Sequence, residues 1–262
     1  MSFFEAIILG IVEGITEFLP ISSTAHLMMT SRLLSIEQTE FVKSFEVVIQ
    51  LGAIAAVIFL FAPRLVRELG LWKKVTIAFI PTAVIGFVFY KLIKTYLIGN
   101  ITVALIALIV GGIALILVER YVAKKPQKED SQVDHITNTQ AFFIGLLQTL
   151  AVIPGVSRSA TTIVSSMLFG ANRKAATEFS FLLAIPTIAA AAGYDLIKNV
   201  HIINEALPVL VVGFVVSFIS AFLSVKFLLS YIQKNSFESF GIYRILVAIA
   251  FFIYLYFKTP VS

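Results

Sequence analysis

The chain has 262 residues, of which 59% are hydrophobic and only 13% charged, and its mean hydropathy is +0.97. Soluble domains carry roughly 25% charged residues, so the composition excludes a soluble enzyme or binding module and describes an integral membrane protein. The chain contains no cysteine, which excludes disulfides, thiolate metal sites and cysteine nucleophiles, and its net charge of +5 falls in clusters between apolar runs, as expected for loops facing anionic lipid rather than nucleic acid.

The first element runs from Phe3 to Leu34 and is interrupted. Residues 13 to 26 read EGITEFLPISSTAH, a polar stretch with a proline-containing break at Leu19 to Thr24 inside a run otherwise suited to lipid. No basic region precedes it, so no cleavable signal peptide is expected. Three spans follow, near Phe45 to Phe61, Val75 to Ile93 and Ile101 to Val118, each about the 20 apolar residues that a bilayer requires. Next comes a polar linker, Ala123 to Asn138; Glu119, Arg120 and residues 124–130 read as solvated. A second interrupted element covers Ala141 to Phe169, broken at Pro154 to Ser159. Three more spans complete the chain, near Phe179 to Ile197, Leu207 to Leu229 and Ile242 to Tyr256.

Half-helices are too short to cross a bilayer, and unpaired backbone at mid-depth survives only against protein or water. Both interrupted elements therefore read as re-entrant hairpins. They also match one another without a gap: Gly10 aligns with Gly145, Glu13 with Gln148, Ser22 with Ser157, Thr24 with Ser159 and Ala25 with Ala160. The fold class expected is an all-α polytopic membrane protein made of two repeats, each a re-entrant hairpin plus three spans. Residues 1–122 form the first repeat, 123–138 a cytoplasmic linker and 139–262 the second. Three spans separate the hairpins, so the repeats are inverted and their broken tips meet near the midplane, where such proteins build polar sites. Basic residues favour the side bearing Arg64, Arg67, Lys73, Lys74, Arg120, Lys124, Lys125, Lys128, Arg173, Lys174 and Lys234 over that bearing Arg32, Lys43, Lys91, Lys94, Lys198 and Lys258. The positive-inside rule makes the former cytoplasmic and puts both termini outside.

Glu13 and Glu17 share one helix face, a turn apart. Such a carboxylate pair in a low-dielectric site lines a wet vestibule, pairs with Arg158, holds a divalent cation through oxygen, or orients a nucleophile. His26 follows Ser23 by three and keeps company with Glu17; His135 and His201 have no such neighbours and are assigned no role. Arg158, at mid-depth, costs about 2.5 to 3.5 kcal/mol to insert and must face an anion, either a glutamate of the first hairpin or a phosphate that suits its planar fork. Ser157, Ser159 and Thr162 add hydroxyls, and Gly155 lets backbone amides approach a helix start. Together they have the character of a phosphate cradle.

EGITE with FLPISSTAH, and PGVSRSATT at Pro154 to Thr162, resemble the two signature motifs of the bacterial undecaprenyl-diphosphate phosphatases of the bacitracin-resistance type, in the same order and on the duplicated hairpins. Ala25 stands where a glycine is common. The resemblance implies hydrolysis of undecaprenyl diphosphate to undecaprenyl phosphate and inorganic phosphate at the bacterial cytoplasmic (inner) membrane, which recycles the carrier for peptidoglycan synthesis. It implies catalytic roles for Glu13, Glu17, His26 and Arg158, with Ser23 as a further candidate, and substrate contacts from Ser22, Thr24, Gly155, Ser157, Ser159 and Thr162. It also implies a divalent cation, magnesium or calcium, for which Glu13 and Glu17 are the candidate ligands. His26 is the favoured nucleophile, attacking phosphorus to give a phosphohistidine, and the alternative is that it activates Ser23 or water. Expected partners are the polyisoprenyl diphosphate, the bilayer and a second copy in a homodimer. The competing class is a secondary transporter or lipid flippase, alone or in addition to hydrolysis, since broken helices in inverted repeats also serve transport.

Overall fold

The computed structural model describes residues 1–89, 99–124, 133–198 and 207–258. Among the described residues there are ten α-helices and no strand: α1 Phe3–Thr16, α2 Ser23–Leu33, α3 Glu40–Arg67, α4 Leu69–Val88, α5 Ile101–Ala123, α6 Asn138–Gln148, α7 Arg158–Leu168, α8 Arg173–Lys198, α9 Leu207–Tyr231 and α10 Glu238–Lys258. Six of these are long and apolar enough to cross a membrane, α3, α4, α5, α8, α9 and α10, and they are the six spans expected. The expected end of the second span at Ile93, residues 125–132 of the linker, and Lys91, Lys94, Lys125, Lys128 and His201 lie outside the described residues.

The two interrupted elements are helix pairs, α1 with α2 and α6 with α7. Their members have 14, 11, 11 and 11 residues, which at 1.5 Å per residue is about 16 to 21 Å, well short of a hydrocarbon core of about 30 Å. Their starts are set by the same chemistry. Ser2 caps α1 in a capping box with Glu5, and Thr137 caps α6 in a capping box with Gln140, so each Ncap hydroxyl satisfies an orphan N–H while the N3 side chain reaches back. A four-residue 3-10 turn, Thr149–Val152, extends α6.

Each short first helix packs on a span distant in sequence, α1 on α9 and α6 on α4, while α3 packs on α8 and on α9, and α5 on α10. Without a hydrophobic drive between helices in lipid, such contacts rest on small residues that let backbones approach. Gly145 on α6 lies so close to α4 that an added Cβ would stand 1.8 Å from the Ala78 carbonyl oxygen. Gly145→Ala is accordingly expected to cost about 1–3 kcal/mol by forcing the helices apart, read as a lower midpoint of thermal unfolding in detergent. Gly70→Ala, where a Cβ meets nothing within 4 Å, leaves the midpoint unchanged. Phe18, Phe179, Phe181, Ala53 and Val57 fill the centre of the molecule, whereas Phe59, Val110, Leu117, Ile219 and Leu246 are exposed on the outer faces of the spans. The lipid solvates those outer faces.

One expectation fails in this part of the chain. Glu119 is not solvated: it is 1% exposed and its carboxylate accepts from Arg173 through Nε at 3.0 Å and Nη2 at 2.8 Å, and from the Phe237 amide at 2.8 Å. The pair binds the end of α5 to the starts of α8 and α10. Nearby, Arg64 donates to Glu68 and Glu178.

Candidate active site

Both hairpin turns end on a serine forced into a left-handed backbone conformation. Ser22 has φ 72° and Ser157 φ 76°, positions that cost an L-residue about 1–3 kcal/mol and concentrate at functional sites. In the first turn, α1 stops at Thr16, and Glu17 follows at its C-cap. The Ser23 hydroxyl donates to Glu17 Oε2 at 2.5 Å. In the second turn, Gly155 has φ 92°, and a Cβ there would lie 2.1 Å from the Ala104 carbonyl oxygen, so only glycine fits. The Ser157 Oγ accepts from the Ala160 amide at 3.1 Å and starts α7.

Arg158 joins the two turns. Its Nη2 donates to Glu17 Oε1 at 2.8 Å and its Nη1 to the Ser180 carbonyl at 2.9 Å, with the Phe18 ring 5.7 Å from its carbon. Its Nε is buried and has no hydrogen-bond partner among the described residues. One carboxylate, Glu17, thus holds a hydroxyl from the first hairpin and a guanidinium from the second.

These groups open onto a cavity of about 190 Å³ whose wall includes Glu17, Ser22, Ser23, Thr24, Gly155, Ser157 and Arg158. The lining also includes the neutral polar side chains of Gln50, Thr82, Gln148 and Thr187. Gln148 Nε2 donates to Thr82 Oγ1 at 2.8 Å and to Thr187 Oγ1 at 3.3 Å. A cavity lined by one cation, one carboxylate and several hydroxyls and amides, sunk between apolar spans, suits a charged head attached to an apolar tail.

Four sequence candidates are not in that wall. Glu13 is fully buried beside the charges of Glu17, Glu46 and Arg158, and neither of its oxygens has a hydrogen-bond donor among the described residues. His26 is 8% exposed; its Nδ1 lies 2.8 Å from the Ser22 carbonyl and its Nε2 2.9 Å from the Tyr243 hydroxyl, with the two rings stacked at 5.6 Å. A carbonyl only accepts, so Nδ1 carries the proton and Nε2 accepts from Tyr243. Both ring nitrogens are committed. Ser159 and Thr162 are each 0% exposed, contrary to the expectation of substrate contact: Ser159 donates to the Phe18 carbonyl at 2.7 Å, and Thr162 to Ser180 Oγ at 2.6 Å. On a helix facing its neighbours, those positions tie α7 to the first turn and to α8.

The candidate ligands for a divalent cation are the Glu13 and Glu17 carboxylates. Among the described residues no three His, Cys, Asp or Glu side chains gather as a complete metal cage. Glu13 nonetheless presents two buried, unclaimed oxygens next to Glu17, and magnesium characteristically takes one or two carboxylates plus substrate phosphates. The donor set fits a cation held jointly with a phosphorylated ligand.

Several participants were invisible to motif reading. Gln50, Thr82 and Thr187 are unremarkable in sequence, and Gln148 was aligned with Glu13 without a role of its own. Tyr243 and Arg244 lie within the last span; an arginine inside a span was the available signal, and it lies away from the loops that the charge count addresses.

The family described as "Bacitracin resistance protein BacA" matches residues 6–250 of the chain. Among similar proteins, one of Aquifex aeolicus (strain VF5), named "Undecaprenyl-diphosphatase", is 51% identical over 258 residues, covering 97% of this chain and 100% of the relative. Proteins of the same name from Persephonella marina and Wolinella succinogenes are 47% and 51% identical over 256 residues, covering 97% of this chain and 100% and 99% of theirs.

Proposed function

The chain belongs to the BacA family of bacitracin resistance proteins, and from that premise we infer that it hydrolyses undecaprenyl diphosphate to undecaprenyl phosphate and inorganic phosphate. It is a multi-pass membrane hydrolase that returns the lipid carrier to peptidoglycan synthesis and confers bacitracin resistance. The transporter or flippase alternative is not supported by the relatives, whose name describes a diphosphatase.

The observation that carries the mechanism is the Glu17 carboxylate shared between the Ser23 hydroxyl and the Arg158 guanidinium at one cavity wall. Ser23 is the nucleophile in this reading. Its Oγ attacks the terminal phosphorus, the bridging P–O bond breaks, undecaprenyl phosphate leaves and the hydroxyl proton passes to Glu17. Water then attacks the phosphoserine; the Oγ–P bond breaks, Glu17 returns the proton to Oγ and inorganic phosphate departs. Arg158, through its unclaimed Nε and its forked nitrogens, stabilises charge on the transferring phosphoryl group. Backbone amides at the start of α7 sit where the helix dipole favours an anion. His26, with both nitrogens engaged, holds the Ser22 carbonyl and so the start of α2. A magnesium or calcium ion bound by Glu13 and Glu17 would neutralise phosphate charge.

Both hairpins are re-entrant and the repeats inverted in this reading, with division at the linker, both termini outside the inner membrane and the arginine- and lysine-rich loops cytoplasmic. The short lengths of α1, α2, α6 and α7 and the loop charges support it. The test is phosphate release from undecaprenyl diphosphate by purified protein. Release is expected, with a loss of at least about 10-fold on chelation and recovery on adding magnesium or calcium. Lipid binding without release would refute hydrolysis; release indifferent to chelation would remove the cation.

A further inference from the structure

Among the described residues, the most deeply buried cation is not in the cavity wall. Arg244, on α10, is 0% exposed. Its Nη1 donates to the Pro20 carbonyl at 3.1 Å, its Nη2 to the carbonyls of Gly155 at 2.8 Å, Val156 at 3.1 Å and Ala107 at 3.2 Å, and its Nε to that of Leu108 at 3.2 Å. All five of these acceptors are backbone oxygens, and no carboxylate is among them. An arginine inside a membrane protein is costly, so a position that spends it on carbonyls alone calls for an explanation.

Those carbonyls identify the task. Pro20 belongs to the turn of the first hairpin, Gly155 and Val156 to the turn of the second, and Ala107 and Leu108 to α5. Chain breaks leave carbonyls without helical partners, and in a bilayer each must be satisfied by protein. A single guanidinium, with five donors in a rigid plane, satisfies both turns at once and fixes them to a common span. The preceding residue adds a second grip, since Tyr243 bonds His26 on α2. Gly155 itself lines the cavity, which puts the clamp one residue behind the wall.

We propose that Arg244 is a positioning residue for the phosphatase reaction: it holds the two hairpin turns in register so that Glu17 and Ser23 on one meet Arg158 on the other. The inference rests on the phosphatase reading above. Misplacing reacting groups by about 1 Å costs on the order of 100-fold in rate, so a loosened register appears in turnover before it appears in binding.

Two variants reach the clamp by different routes. Arg244→Met removes the donors. Gly111→Ala keeps the arginine but builds a Cβ 2.1 Å from its Nη2, pushing the guanidinium aside. Purified proteins are assayed for phosphate release from undecaprenyl diphosphate after a melt in detergent establishes which are folded. Since the chain has no cysteine, spin labels on Ile15→Cys and Leu150→Cys, exposed residues flanking the two turns, report their separation in the same proteins.

The expected result is a fall in kcat of about 100-fold for Arg244→Met and about 10-fold or more for Gly111→Ala, with KM within about threefold, and a broadened distance distribution. Should Arg244→Met fail to fold, Gly111→Ala decides. Folded variants with unchanged kcat, or with unchanged label distances, overturn the proposal, as does failure of both to fold, which would make Arg244 a stability element only. An unaltered protein that releases no phosphate would sink the phosphatase reading, whereas active protein with equally active variants sinks the positioning role alone.

Discussion

Glu17→Gln will lower kcat for phosphate release by about 10³-fold, within the 10²–10⁴ range supplied by a positioned general base. The amide keeps the shape of the carboxylate but accepts no proton, and it weakens the bond to Arg158 Nη2, now 2.8 Å. Ser23→Ala should fall equally far, because the two residues act as one unit through their 2.5 Å hydrogen bond. The double variant should be no worse than either single one, the non-additivity that coupled catalytic groups display. His26→Ala provides the contrast. If the imidazole only holds the Ser22 carbonyl and the Tyr243 hydroxyl, its loss costs about 10-fold by loosening the start of α2, consistent with the price of modest misplacement. Steady-state phosphate release under saturating lipid measures all four. Complete inactivity of His26→Ala beside a half-active Ser23→Ala would reverse the assignment and make the histidine the attacking group.

Arg158→Lys will be nearly as inactive as Arg158→Ala, with kcat/KM lower by about 10³-fold in both. Removal of one oxyanion donor costs about 10²–10³ in rate, and arginines that stabilise a transferring phosphoryl group account for 10³–10⁵. A lysine has a compact ammonium rather than a planar fork, so it cannot bond Glu17, Ser180 and a phosphate oxygen together as Nη2, Nη1 and the unclaimed Nε allow. The two variants separate in stability. The Arg158 and Glu17 side chains are 11% and 9% exposed, and breaking a buried pair by deleting one partner costs about 3–5 kcal/mol because the other charge is stranded. Arg158→Ala should therefore melt well below Arg158→Lys, while Arg158→Ala combined with Glu17→Gln should recover much of that loss without recovering activity. A lysine variant with near-normal kcat/KM would show that only charge matters at this position.

Much of the architecture was legible because lipid makes uniform local demands. Six apolar runs of sufficient length became six helices, and the proline-bearing polar breaks at Leu19 to Thr24 and Pro154 to Ser159 became the two turns. The alignment of Ser22 with Ser157 has a backbone counterpart, since both take up a positive φ and both precede an 11-residue helix. Hydroxyl roles were less legible. Ser157 faces the cavity and Ser159 does not, although they are two apart, because α7 begins between them and turns Ser159 toward the Phe18 carbonyl. Glu119 looked like part of a solvated linker from its neighbours in sequence, yet Arg173, 54 positions later, accounts for its burial.

By itself the sequence determined the solvent of this protein, its six spans, its two broken hairpins and the polar residues Glu17, Ser23 and Arg158, since each follows from composition or spacing within a few turns of chain. Only the tertiary structure decided which of those residues meet. The Glu17–Arg158 contact spans 141 positions, and the carbonyl clamp of Arg244 reaches 224 positions back to Pro20. Contacts of that range depend on how helices pack across the bilayer, through close approaches such as Gly145 on Ala78. Local patterning carries no record of them, because an arginine that will bind five carbonyls and one that will bind a phosphate are the same letter in an apolar run.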